Sequence, residues 1–75
     1  MENKLKLNKD IYLIDNIRYC IEQYSDVCEI AASDDNKYYI CVFRNCKYDL
    51  FETINEFENY LICYSNMQVH HNDNT

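Results

Sequence analysis

The sequence predicts an α+β two-layer sandwich, on three observations. Short stretches alternate apolar and polar residues, or are continuously apolar, over strand length. Two longer stretches repeat apolar residues at helical spacing. Asn, Asp and Ser clusters punctuate them, giving the order strand, helix, strand, strand, helix. Glycine and proline are both absent, so every turn must use the other residues that tolerate turn geometry.

The first strand is expected over residues 4–9, where Leu5 and Leu7 alternate with Lys4, Lys6 and Asn8. Lysines on such a strand suit an edge, where charge discourages pairing with other chains. The run IYLIDNIRYCIEQYS follows, with Ile14, Ile17, Ile21 and Tyr24 at steps of three, four and three and Cys20 beside them, one face of a helix. Ser25 and Asp26 supply its stop. Residues 27–32 and 37–44 read as a hairpin closed by the polar turn SDDN, residues 33–36. Asp49 is placed to cap a second helix, with Glu52 three residues on, as in a capping box. That helix carries Leu50, Ile54, Phe57, Leu61 and Tyr64 inward and is expected to fade after Ser65.

A strand–helix–strand unit places the first two strands parallel with a gap between them, and the third strand fills it antiparallel to both. The expected sheet has order 1-3-2 with both helices on one face. This is a β-α-β-β-α sandwich resembling a ferredoxin-like fold without its last strand. Residues 1–66 form the expected single domain and 67–75 a disordered polar tail.

In that layout residues 37–44, KYYICVFR, form the central strand. It is apolar on both sides: Tyr38, Ile40 and Val42 point one way and Tyr39, Cys41 and Phe43 the other. The helices cover one side only, and the sequence leaves open which triplet lies beneath them. In the neighbouring strand Glu29 marks the uncovered side. Glu29, Tyr38, Tyr39, Ile40, Cys41, Val42 and Phe43 are therefore the candidate partner-contacting residues. An uncovered sheet face of this kind marks association with a second copy or another protein, and an edge strand can accept an added strand.

Net charge is −6, from thirteen acidic and seven basic residues, which disfavours nucleic acid and anionic membrane and favours a basic partner. No apolar run reaches the length of a membrane span and the N-terminal residues show no signal-like core, so a cytoplasmic protein is expected. Five cysteines, an odd number without C-x-x-C spacing, disfavour a disulfide framework and a zinc site; buried thiols acting as small apolar groups are expected. His70 and His71 sit in the polar tail, which leaves the folded part without a base for a nucleophile. The expectation is a protein with no catalytic site, cofactor or metal.

The run LNKDIYLIDNIRYCIEQYSD, the hairpin strand YYICVF and the helix YDLFETINEFENYLI together resemble the HxsD-like family, over about residues 7–62. The resemblance implies an accessory protein beside radical-SAM enzymes that modify ribosomally made peptides. Its partner would be the maturase or its precursor peptide. The chain lacks the C-x-x-x-C-x-x-C spacing of a radical-SAM cluster. The alternative drawn from charge is a small acidic inhibitor or antitoxin-like protein that blocks a basic surface.

Overall fold

A computed structural model describes the backbone of residues 3–73 and the side chains of residues 3–67. Five elements follow in the expected order: β1 (Lys4–Asn8), α1 (Ile14–Gln23), β2 (Glu29–Asp34), β3 (Tyr38–Arg44) and α2 (Leu50–Asp73). β3 is central in a sheet of order β1-β3-β2, antiparallel to both neighbours.

Each boundary has a local cause. β1 ends in a turn where the Asn8 side-chain oxygen accepts the Asp10 N–H (2.8 Å) and its carbonyl accepts those of Ile11 and Tyr12 (both 3.0 Å). Helix α1 starts at Ile14, later than the IYLIDN run suggests, behind an uncapped Leu13, which leaves Ile11 and Leu13 exposed in the connection. The hairpin turn is residues 35–37, beginning two residues later than the expected SDDN turn and ending one later, because β2 runs on to Asp34. The Asp35 carboxylate accepts the N–H groups of Lys37 and Tyr38, both at 2.8 Å. Those two donors hold its carboxyl below the usual range. Asp49 caps α2 as expected, accepting the Glu52 N–H at 3.0 Å. α2 runs on to Asp73, past the Ser65 where its stripe gives out. The expected tail falls largely on residues 68–75, outside the described side chains.

One core lies between the helices and a single face of the sheet. Ile17 and Cys20 of α1, Ile54, Phe57 and Leu61 of α2, and Leu7, Cys41 and Phe43 of the sheet are buried together. Phe57 is its hub, meeting Phe43 and Tyr24 edge-to-face, each at 5.3 Å between centroids. The helices also touch through stacked Tyr19 and Tyr64 at 4.4 Å. No buried side-chain polar atom among the described residues lacks a partner; Thr53, for instance, donates its hydroxyl to the Asp49 carbonyl at 2.8 Å.

The cysteine expectation is corrected in one respect. Cys28 and Cys46 are joined by a disulfide, while Cys20 and Cys41 are buried thiols and Cys63 is exposed. The cause is a bulge. The β2–β3 register pairs Glu29 with Arg44, yet the next backbone bond runs from the Lys47 N–H to the Val27 carbonyl (2.9 Å), one residue further along. Asn45, at φ 52°, absorbs the extra residue in the left-handed region that Asn tolerates. Cys46 is thereby moved opposite Cys28. Cysteine count and spacing carry no trace of that shift.

Candidate functional site

The register settles which side of β3 is open. Cys41 and Phe43 are buried at 0% and 1% exposure, and Tyr39 packs half-buried against the same core. Tyr38, Ile40 and Val42 therefore face away from the helices, half-buried by their neighbours alone. Of the seven candidate residues, four share the open face: Glu29, Tyr38, Ile40 and Val42. Tyr39, Cys41 and Phe43 belong to the inner face, where Cys41 and Phe43 are enclosed by the core.

Cross-strand pairing fixes the rest of the face. Lys4 lies opposite Val42 and Lys6 opposite Ile40; on the other side Ala31 meets Val42, Ser33 meets Ile40 and Glu29 meets Arg44. The apolar row Tyr38–Ile40–Val42 is thus bordered by Lys4 and Lys6 on one side and by Ala31 and Ser33 on the other. Lys6 places its ammonium 5.4 Å from the Tyr38 ring centroid. Glu29 is held by the Asn45 amide at 2.8 Å.

The face is opposite in sign to the molecule. Its strands carry three cations, Lys4, Lys6 and Arg44, and one carboxylate, Glu29, with Asp35 in the hairpin turn at one end, near Lys6. Most of the acids lie on the helices and loops, among them the exposed Asp15, Glu22, Glu52 and Glu56. Net charge therefore does not describe this surface. The signal that sequence reasoning missed is parity: residues 4 and 6 fall on the outer side once β1 is paired with β3.

The inner face is closed at its far end. Lys9 bridges to Asp34 at 2.6 Å and lies 5.2 Å from the Tyr39 ring centroid, which raises the lysine pKa through the Asp34 hydrogen bond. This is the only ion pair among the described residues, so Lys4, Lys6 and Arg44 stand without a carboxylate partner there. Burial pushes the Cys20 and Cys41 thiols up to about 11, which keeps both protonated and inert as nucleophiles at neutral pH.

Among the described residues no three His, Cys, Asp or Glu side chains gather as a metal ion requires. None of the helices described is long and apolar enough to cross a membrane. What the arrangement offers is a sheet surface of about ten residues, apolar along its middle and basic along one border. Comparison with protein-family models, with curated proteins and with solved structures finds no match to this chain.

Proposed function

We propose that the chain is a non-catalytic accessory protein that binds a protein or peptide through its uncovered sheet. One observation carries this reading: the row Tyr38–Ile40–Val42 has no layer over it among the described residues, although Cys41 and Phe43 on the opposite side of the same strand are buried in the core. The HxsD-like resemblance supplies the class of partner, a radical-SAM maturase of ribosomally made peptides or the precursor peptide of such an enzyme. A second copy docking face to face is a further use of the same surface.

The test is titration of the purified protein with the maturase and the peptides encoded beside its gene. Saturable binding to either is expected. The absence of both genes from the neighbourhood, or of binding to their products, would remove the peptide-maturation role.

The separation of charge supports a second reading. The exposed acids of α1 and α2 form a surface suited to a basic target, as an inhibitor or antitoxin-like protein would need. It predicts binding that weakens steeply with salt and survives changes at Tyr38, Ile40 and Val42.

A further inference from the structure

The geometry points to the free edge of β1 as the docking site of an extended acidic peptide segment, which adds to the sheet as a fourth strand with acidic and apolar residues alternating. This rests on the binding role proposed above and specifies the route.

The edge is chemically open. The Phe43 N–H donates to the Asn3 carbonyl (2.8 Å) and the Lys9 N–H to the Lys37 carbonyl (3.0 Å), so odd-numbered residues of β1 exchange backbone bonds with β3. The backbone groups of Lys4, Lys6 and Asn8 then point away from the sheet. The Asn8 carbonyl is used by the turn that follows. That leaves the N–H groups of Lys4, Lys6 and Asn8 and the carbonyls of Lys4 and Lys6 aimed where no strand lies among the described residues. In the β-α-β-β-α-β arrangement a fourth strand takes this edge.

The side chains choose the occupant. On the outer face a strand added here sets its residues against Lys4 and Lys6, neither of which makes a direct ion pair among the described residues, although the Asp35 carboxylate in the hairpin turn feels the Lys6 charge. Carboxylates satisfy those positions, and lysines are repelled. A second copy of β1 would bring its own Lys4 and Lys6 there, so charge rejects self-pairing and admits an acidic strand.

On the inner face the added strand meets apolar surface. Tyr60 and Tyr64 define the flank of α2 that faces α1, and Phe51 and Ile62 lie on the opposite flank. They are 59% and 38% exposed, on the side where Tyr12, just past β1, lies near Glu58. Half-buried Leu5 lies on the core-facing side of β1, so every second residue of the incoming strand faces inward beside it.

The test is fluorescence anisotropy with a labelled peptide alternating Glu and Val over the five residues of β1, combined with amide exchange. Saturable binding is expected, with slowed exchange at Lys4, Lys6 and Asn8 and not at Ile30, Ala32 and Asp34. A peptide of the same composition with its Glu grouped before its Val should bind at least about tenfold more weakly. Lys6→Pro removes an outward N–H without touching the β1–β3 ladder and should cost at least about tenfold. Should that variant unfold, Lys4→Glu/Lys6→Glu should switch preference to an alternating Lys–Val peptide.

Equal binding of the two Glu peptides, protection at β2 instead, no binding, or self-association through β1 would each overturn the proposal. A partner that still needs Tyr38, Ile40 and Val42 while Lys6→Pro changes nothing would leave the binding role standing and remove the edge. Indifference to both sets of changes would remove both.

Discussion

Phe43 and Val42 are adjacent in sequence and apolar, yet one is 1% exposed and the other lines an open surface. Their mutational costs should differ accordingly. Phe43→Ala removes a ring packed against Phe57 and should cost about 3–5 kcal/mol. Tyr38→Ala, on the open face, should cost under about 1 kcal/mol. Urea unfolding of both variants checks this, and equal costs would place the open face in the core.

The cysteines give a second contrast at this scale. In the native protein an alkylating reagent should modify Cys63 quickly and leave Cys20 and Cys41 untouched until unfolding. The two buried thiols also set an alkaline limit. Each has its pKa raised by burial from an ordinary 9.0 to about 11, so the folded state holds the proton more tightly than the unfolded one. Their contribution is fully present below pH 9 and is lost as pH climbs toward 11. Thermal unfolding should show a midpoint insensitive to these groups up to pH 8 and falling across pH 9–11. A flat midpoint over that range would mean that the thiols are solvated.

At the scale of the elements, much was legible. The i, i+3, i+4 stripes placed both helices because their inward residues must meet one core. Asp49 announced the start of α2, because a side-chain acceptor there satisfies the Glu52 N–H. The hairpin was legible but its turn was started two residues early, since Asp34 and Asp35 are both competent turn formers and only pairing with β3 selects Asp35.

The disulfide was not legible. It depends on the left-handed Asn45, a backbone event that shifts Cys46 against Cys28. The bond closes a loop across a sequence separation of 18, and on chain-entropy grounds contributes about 3 kcal/mol. Non-reducing peptide mapping should find Cys28 joined to Cys46. Reduction should lower stability by about that amount in the native chain and by nothing in the Cys28→Ser/Cys46→Ser variant. A map with both thiols free would contradict the pairing.

For the whole molecule, one-sidedness is the governing fact. Three strands and two helices build two layers, and the second face of the sheet is left as surface. That was readable from the apolar residues on both sides of KYYICVFR together with the element order. The sign of the surface was not, because charge read along the chain sums the acidic helices with the basic strand border.

The proposed binding surface is the row Tyr38–Ile40–Val42. It is tested most directly by the Ile40→Thr/Val42→Thr variant, which keeps β-branched residues on the strand while removing apolar surface. Urea unfolding and titration with the proposed protein or peptide partner would be run on the same preparation. Stability should stay within about 2 kcal/mol of the unchanged chain, and binding should weaken at least about tenfold. Unchanged binding, or unfolding as severe as that of Phe43→Ala, would contradict it.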